Sequence, residues 1–359
     1  MSVAIPVPRG WWRRLSVVEL YLWAFRIAVV VIVLWGTTGT LRAGRYTSEV
    51  WIDFFVFGLS QGAIYALIAL GYTMVYGILR MINFAHGDIF MVGAYTAFYA
   101  ARALHVRGLF NGNPAFSLAV VLAVAMGVSL VTALLVERVA YRPLRRAPRL
   151  VPLISAIGAS FFIEYAVRGL YGSGYQAYPE FEIFKGEWVL LGIGVLRTQA
   201  VVIVASLLLM TALYLFVMRT KTGTAMRAVS EDIEVAALMG INVDRIIVVT
   251  FAIGGAAAGA AGVLYALVFK QVHFFMGFYP GIKAFTAAVL GGIGNIPGAM
   301  LGGVFLGLFE SVGPILVLDG LGIPAPYQLK DVIAFTMLVM VLIFRPSGIL
   351  GERLAQKKA

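Results

Sequence analysis

The sequence predicts an all-α polytopic integral membrane protein with about 8 to 10 transmembrane or re-entrant helices. Hydrophobic residues make up 61% of the 359 residues and charged residues only 13%, and the mean hydropathy is +0.92. A compact soluble domain cannot shield so much apolar surface from water. The apolar runs are also long and continuous, whereas the strands of a membrane barrel show short alternating segments. The spans are therefore helices.

Apolar runs close to the roughly 20 residues needed to cross a bilayer follow one another along the chain. They lie at about 18–36, 52–79, 88–104, 115–140, 150–170, 198–218 and 246–270. Two glycine-rich runs, at about 283–294 and 297–318, are expected to form short helices or a re-entrant pair, and a last run lies at about 328–344. Together these runs predict the order of the helices.

No linker and no stretch long enough for a soluble domain interrupts this series, so we predict one membrane domain at residues 51–350. Residues 1–50 form an N-terminal extension with an extra transmembrane helix, and residues 351–359 form a tail. The extension also has the basic start of a signal peptide, but Arg26 and the lack of an A-x-A site favour a retained helix. Because the chain has no cysteine, disulfides and thiolate metal sites are excluded.

The placement of Lys and Arg predicts the orientation in the membrane. A net charge of +11 would also suit nucleic-acid binding, but the basic residues concentrate at alternate ends of the runs, which is typical of the positive-inside rule. They are Arg9, Arg13, Arg14, Arg80, Arg138, Arg142, Arg145, Arg146, Arg149, Arg219, Lys221, Arg227, Arg245, Arg345, Arg353, Lys357 and Lys358. Both termini and the segment 219–245 are thus predicted to be cytoplasmic, with no nucleic-acid partner. The long external segment, about 171–197, carries aromatic residues that form either an interfacial belt or a lid for a soluble partner.

The cytoplasmic segment, residues 219–245, is the main polar interruption of the apolar sequence, and it predicts a short helix in water. Ser230 suits the N-cap, Glu231 and Asp232 suit the positive end of the helix dipole, and Gly240 suits the left-handed residue past its end. The apolar positions share one face, namely Ile233, Ala236, Ala237 and Gly240. Either this face docks on another protein, which we favour, or the segment packs on its own spans.

Two sequence breaks, Ile82–Gly87 and Gly294–Gly298, resemble each other and lie between apolar runs. Under the predicted orientation they lie at different depths, as expected of two inverted repeats, although so short a match also leaves chance resemblance open. At the first break we expect Asp88 to cap the next helix, Asn83 to end the previous one in the left-handed conformation, and Gly87 to allow the turn. Lining of a polar path and acid–base chemistry with His86 are the alternatives.

Polar residues inside spans are costly, and each has a packing and a functional interpretation. Glu164 either marks a polar path or, as we expect, pairs with Arg168 one turn later. Gln61 and Glu310 are expected to hydrogen-bond neighbouring helices. Glycines cluster in the glycine-rich runs, at Gly291, Gly292, Gly294, Gly298, Gly302 and Gly303. Close packing accounts for any one of these glycines, while their density suggests a pore lining.

The sequence lacks the common motifs for nucleotide hydrolysis and for metal-dependent catalysis. No G-x-x-x-x-G-K-[ST] phosphate cradle and no H-E-x-x-H metal motif occurs. We therefore predict no catalytic residue and no metal site on this chain, and we expect it not to be an enzyme.

Three blocks of sequence resemble the permease subunits of branched-chain amino acid ABC importers. They are Gly58–Ile78 with Ile82–Gly87, Met226–Ile241, and Ala284–Ala299. The resemblance extends over residues 52–350 and occurs in the right order. It implies a permease that pairs with a second, homologous permease, two cytoplasmic ABC ATPases that bind ATP and Mg, and an extracytoplasmic substrate-binding protein. The implied location is the inner membrane of a prokaryote.

The resemblance also implies a role for the cytoplasmic segment, and the polar and glycine positions in the spans are our candidates for the pathway. It identifies the cytoplasmic segment as the ATPase coupling segment, with the candidates Arg227, Ser230, Glu231, Asp232, Ile233, Glu234, Ala236, Ala237 and Gly240. The candidates for the translocation pathway are Gln61, Asn83, His86, Gly87, Gly291, Gly292, Gly294, Asn295 and Gly298. Leucine, isoleucine or valine is the expected cargo, with another amino acid, urea or a short amide as alternatives. An ion-coupled secondary transporter using Glu164, His86 and Asp88 is the rival hypothesis, and a membrane enzyme is disfavoured.

Overall fold

A computed structural model of the chain describes residues 17–145, 147–148, 150–190, 193–345 and 347–351. The α-helices are α1 Val17–Ala43, α2 Ser48–Leu79, α3 His86–Val106, α4 Leu109–Gly112, α5 Pro114–Val136, α6 Leu150–Tyr171, α7 Arg197–Arg219, α8 Lys221–Glu231, α9 Ile233–Leu238, α10 Val243–Phe269, α11 Phe278–Gly291, α12 Ile296–Gly313 and α13 Lys330–Phe344. The predictions for the start of the N-terminal extension and for the end of the tail lie outside the described residues, as do Arg146 and Arg149.

Nine helices in the described part of the chain are long and apolar enough to cross a membrane, which confirms the prediction of an all-α polytopic protein. Two of them continue beyond an α-helix into a π-helical turn, Glu137–Tyr141 after α5 and Pro314–Leu318 after α12. Helix α11 has only 14 residues, about 21 Å at 1.5 Å per residue, so it reaches only part of the way through a bilayer. The first glycine-rich run is therefore a half-helix, and the second forms a full span.

The centre of the bundle is formed by α2 and α10, with α12 packed on α2 and α5 packed on α10. Glycines allow α2 and α12 to approach closely. A Cβ built on Gly303 would lie 2.4 Å from the Cα of Ala66, and one on Gly307 would lie 2.2 Å from the backbone nitrogen of Gly62. Helices in a membrane associate through such small residues because burial of apolar side chains gains little there. Close packing therefore accounts for these glycines.

The peripheral helices α1, α6, α7 and α13 bury few residues in this chain. Helix α1 leans on the π-helical turn after α12, where Gly36 and Gly39 meet the backbone of residues 317–320. Its Arg26 donates a hydrogen bond to the carbonyl of Ile343, near the end of α13. The extra N-terminal helix thus lies on the outside of the bundle.

The external segment folds into a small layer rather than one lipid-facing belt. Strands β1 (Gln176–Ala177) and β4 (Gln271–Val272) pair antiparallel, and β2 (Glu187–Leu190) pairs antiparallel with β3 (Ile193–Leu196). The rings of Phe110 and Phe181 stack at 3.9 Å, and Tyr178 is buried beside them. Tyr175 and Trp188 remain exposed. The aromatic residues therefore divide between the core of this layer and its outer surface.

Candidate functional site

The cytoplasmic segment folds into two helices, α8 and α9, between the ends of α7 and α10. Every third residue of α8 is buried, at Gly223, Met226 and Val229, and these positions share one face of the helix. A Cβ on Gly223 would lie 2.2 Å from the carbonyl oxygen of Val217, so α8 starts directly against the end of α7. Helix α8 is consequently held tightly against the spans, and α9 projects beyond it.

The prediction that Ser230 caps one continuous helix is wrong. Ser230 lies in the last turn of α8, and its hydroxyl donates to the carbonyl of Arg227 at 2.7 Å. Asp232 is extended and separates the two helices, and its carboxylate accepts from the backbone N–H groups of Glu234 and Val235. An aspartate at this position satisfies two free donors of α9 and complements its dipole. Gly240 has a φ of 84°, which confirms the left-handed conformation expected there.

The predicted apolar face of α9 divides in two. Ala236 is buried and points towards the spans, whereas Ala237 and Ile233 are exposed. The large exposed apolar residues of the segment are Ile233, Val235, Leu238 and Met239. The segment thus packs on its own spans through Ala236, and it leaves an exposed apolar surface, defined here as Ile233, Val235, Leu238 and Met239. An exposed apolar surface of this kind is suited to contact another protein.

Arg80 and Arg145 connect helix ends close to the segment 219–245. Arg80, at the end of α2, donates to the carbonyl of Ser230 at 2.8 Å. Arg145 forms ion pairs with Glu137, after α5, and with Asp244, in the first turn of α10. Sequence reasoning used Arg80 and Arg145 only to assign orientation. Their contacts connect α8 of the segment to α2, and connect α10 to the π-helical turn after α5.

At the first sequence break, the start of α3 meets the start of the half-helix α11. His86 and Gly87 open α3, and Gly277 precedes α11. A Cβ on Gly277 would lie 2.3 Å from the carbonyl oxygen of Gly87, so the two helix starts touch through glycine. The imidazole of His86 is buried against Tyr72, with ring centres 4.8 Å apart. The predicted turn at Gly87 is wrong, because Gly87 is the second residue of α3, where its small size allows close packing on Gly277.

The caps expected around this junction also differ from the prediction. Arg80, not Asn83, takes the left-handed conformation that ends α2, with a φ of 54°. Asn83 is buried, and its carbonyl oxygen accepts from the hydroxyl of Tyr141 at 3.4 Å. Asp88 lies within the first turn of α3 rather than at its N-cap, and its carboxylate accepts from the hydroxyl of Ser160 on α6. Local sequence cannot show these tertiary partners.

The second break is a tight glycine turn between α11 and α12. A Cβ on Gly291 would lie 1.9 Å from the carbonyl oxygen of Gly298, and Gly292 and Gly294 have positive φ. Asn295 caps α12 by accepting from the N–H of Gly298, and its amide donates to the carbonyl of Leu350. This turn packs against the C-terminal residues, so the close-packing interpretation fits these glycines better than the pore lining.

The remaining polar residues have different neighbours from those expected. Gln61 is buried on α2, where its carbonyl oxygen has no hydrogen-bond partner. Glu164 does not pair with Arg168 among the salt bridges of the described residues, and the Arg168 guanidinium lies over the rings of Tyr165 and Phe274 instead. The structure thus does not bring the predicted pathway residues into one cavity. Of the predicted pathway residues, Gly87 lines a cavity beside α6, while Gly294 lies in the turn between α11 and α12 and lines a different cavity.

Sequence reasoning missed one buried ionic cluster. Lys283 on α11 lies 2.6 Å from Glu310 on α12 and 2.7 Å from Asp331 on α13, and Lys330 approaches Glu310 to 3.6 Å. Glu310 therefore does bond a neighbouring helix, as expected, through a lysine. The available signal was Lys283 itself, a basic residue inside an apolar run.

The family profile and the two sequence relatives described below identify the same family. The family profile described as branched-chain amino acid transport system, permease component, matches residues 54–342. The high-affinity branched-chain amino acid transport system permease protein BraD of Pseudomonas aeruginosa is 46% identical over 308 residues, covering 84% of this chain and 95% of the relative. Its counterpart LivH of Escherichia coli strain K12 is 43% identical over 309 residues, with the same coverage. A solved structure, described as an inward-facing metal-chelate type ABC transporter, matches with a TM-score of 0.44 and 16% identity over 89% of this chain and 98% of that one.

Proposed function

The chain belongs to the family of permease components of branched-chain amino acid transport systems, and from that premise we propose that it is the transmembrane subunit of an ATP-driven importer of leucine, isoleucine and valine. The observation that carries the proposal is the exposed apolar surface of α9. Leu238 is 86% exposed there, although it lies on a helix with a buried neighbour and two well-formed ends. A side chain of that kind in water is expected to bind a partner.

The partner that we propose for this surface is a cytoplasmic ATPase. Helix α9 is too short to be stable alone, so its attachment to α8 and the spans fixes its position. A groove on the ATPase would take the apolar side chains of α9, in the manner of helix-in-groove recognition. Closure of two ATPases around ATP and Mg would then move α9, and the contact of Arg80 with Ser230 passes that movement to α2.

The remaining parts of the proposal follow from alternating access. A second, homologous permease completes the pathway, and an extracytoplasmic binding protein delivers the amino acid to the external layer. The chain itself is non-catalytic, lies in the lipid of a prokaryotic inner membrane, and has both termini in the cytoplasm. Residues 51–350 form the permease domain, and the N-terminal helix is an addition to it. The pathway residues predicted from the sequence remain candidates.

Reconstitution tests the proposal against a secondary transporter. The assembly with its ATPases and binding protein is expected to take up leucine only when ATP is supplied on the side of the membrane where the ATPases lie. The chain without ATPases is expected to be inactive under a proton or sodium gradient. Uptake by the isolated chain under either gradient would contradict the proposal. Competition by isoleucine, valine, other amino acids, urea and short amides would identify the cargo.

Two variants of one residue test the docking surface. Leu238→Asp places a charge on the exposed apolar surface and is expected to abolish both uptake and co-purification of the ATPase. Leu238→Met is the matched control, since it keeps an apolar side chain of similar size and should preserve both uptake and co-purification of the ATPase. Membrane insertion should be equal in the two variants. Normal uptake by Leu238→Asp would show that α9 is not the docking site.

A further inference from the structure

A cavity of about 240 Å³ lies within the bundle where α2, α3, α6 and α11 meet. It is small compared with the roughly 300–1,000 Å³ of pockets for drug-sized ligands, so it suits a small solute. One part of its wall is polar, formed by Asp88, Ser160 and Glu164, and another part is apolar, with Ile157, Phe161 and Ile282. The wall therefore has the two kinds of surface that an aliphatic amino acid presents.

The polar part of the wall holds two buried carboxyl groups without a basic partner. Asp88 and Glu164 are each only 4% exposed. Asp88 accepts from the hydroxyl of Ser160, but Oε1 of Glu164 has no hydrogen-bond partner. Among the described residues, no Lys, Arg or His forms a salt bridge with either carboxyl group. A buried carboxyl group without a basic partner is stable only when it is protonated or balanced by a cation, and a ligand can supply that cation.

Two helix N-termini open onto the same cavity. Gly87 and Asp88 belong to the first turn of α3, while Gly277 and Phe278 begin α11. No side chain caps either helix. The carboxyl group of Asp88 already lies in the first turn of α3, so it complements that dipole. The N-terminus of α11, a helix of 14 residues, remains available to an anionic group.

The cavity opens between α6 and the start of α11, where Phe161 and Phe278 are about half exposed. Carboxyl groups within a membrane face a bundle interior or a water-filled path rather than lipid. The open side is therefore expected to face the translocation pathway. The N-terminus of a half-helix inside a membrane bundle, such as α11, is suited to hold an anionic substrate group.

We propose that this cavity is a binding site for an aliphatic amino acid in transit. The ammonium group binds between Asp88 and Glu164, the carboxylate binds at the N-terminus of α11, and the alkyl side chain packs on Ile157 and Ile282. The inference rests on the proposed function, because it names the place where the cargo of that importer is held. A des-amino or des-carboxy analogue would lack one of the two polar contacts.

The test uses the complete assembly, with both permeases, the ATPases and the binding protein, in proteoliposomes with labelled leucine. Glu164→Gln and Asp88→Asn remove one charge each without changing size. Each is expected to lower the rate of leucine uptake about 10- to 100-fold, the loss typical of a charged hydrogen bond. ATP hydrolysis stimulated by the loaded binding protein should persist, because α9 is unchanged. Glu164→Asp keeps the charge and should recover part of the uptake.

The matched control is Glu49→Gln, which makes the same chemical change at an exposed position in the first turn of α2. It should transport leucine like the wild type. Ile157→Trp fills the cavity and leaves Asp88 and Glu164 unsubstituted, and it is expected to block leucine uptake as well. This variant decides the matter if the carboxyl variants fail to assemble.

Wild-type uptake by assembled Glu164→Gln and Asp88→Asn, or by Ile157→Trp, would overturn the inference while leaving the proposed function intact. A dependence of wild-type uptake on an imposed proton or sodium gradient that both carboxyl variants abolish would assign the cavity to an inorganic cation, and would also overturn it. No ATP-dependent leucine uptake by the wild-type assembly would contradict the proposed function itself, and the inference with it.

Discussion

The buried pair of Lys283 and Glu310 provides a quantitative test of how this bundle is held together. The Lys283 side chain is 7% exposed and that of Glu310 is 0% exposed, and their charged atoms lie 2.6 Å apart. Lys283 also reaches Asp331 at 2.7 Å, whereas the other cation near Glu310, Lys330, is 3.6 Å away. If the pair is broken, Lys283 therefore keeps a closer second partner than Glu310 does. Removal of the lysine should cost more than removal of the glutamate.

The expected magnitudes follow from this inequality. Lys283→Met leaves Glu310 buried with only the longer, 3.6 Å contact to Lys330, so the free energy of unfolding should fall by about 3–5 kcal/mol. Glu310→Leu leaves Lys283 paired with Asp331, so the loss should be about 1–3 kcal/mol. The double variant Lys283→Met/Glu310→Leu removes both charges, and it should lie within about 1.5 kcal/mol of the wild type, since an apolar pair of similar volume replaces a buried ion pair at little cost.

Reversible unfolding in mixed lipid–detergent micelles, followed by the loss of helical signal, measures the four free energies of this double-mutant cycle. The yield of folded protein in membranes gives an independent ranking, with the wild type and the double variant highest and Lys283→Met lowest. The reasoning is refuted if Lys283→Met lies within about 1 kcal/mol of the wild type, or if the double variant is no more stable than that single variant.

Three further predictions concern separate parts of the chain. Asp232→Ala removes the N-cap of α9 and should cost about 1 kcal/mol of local stability, seen as faster amide hydrogen exchange in α9 alone, with Asp232→Asn as the near-neutral control. Gly303→Val should prevent folding, because a Cβ there would meet Ala66 at 2.4 Å, and the yield of folded protein measures the loss. Burial lowers the pKa of His273, whose Nδ1 accepts from the N–H of Phe275. The stability that the neutral imidazole contributes is therefore complete above the ordinary pKa of about 6.5, and it is lost as the pH falls from there through the lowered pKa. Protection of the Phe275 amide between pH 7.5 and pH 5 checks this sign, and protection that rises on acidification would contradict it.

The helices and their approximate positions could be predicted from sequence, because each membrane span must satisfy its own backbone hydrogen bonds. The length and apolarity of a span are therefore visible in one continuous stretch of sequence. The left-handed Gly240 was predictable for the same reason, since its role depends on the adjacent helix end alone. Close packing was also the interpretation that the sequence favoured for each single glycine of the glycine-rich runs, although their density suggested a pore lining and the helix that they would meet could not be predicted.

The cytoplasmic segment shows where local signals become ambiguous. Ser230 and Asp232 are both good N-cap residues, and each lies near the start of an apolar stretch. The choice is decided by α8, which buries Met226 and Val229 against the spans and so continues through Ser230. Asp232 is left as the break. The prediction of one helix failed because packing of the preceding residues, rather than capping preference, sets the boundary.

By itself the sequence determined the class of the protein, the order of its spans, the water-facing segment between α7 and α10, and the resemblance that the comparisons agree with. These properties depend on composition and on residues close together in the chain. Only the tertiary structure decided the partners of the polar side chains. Asp88 meets Ser160 and Lys283 meets Glu310 across 72 and 27 positions, and Glu164 faces a cavity instead of Arg168. Electrostatic and packing energies act over a few ångströms in space, and separation along the chain does not enter them.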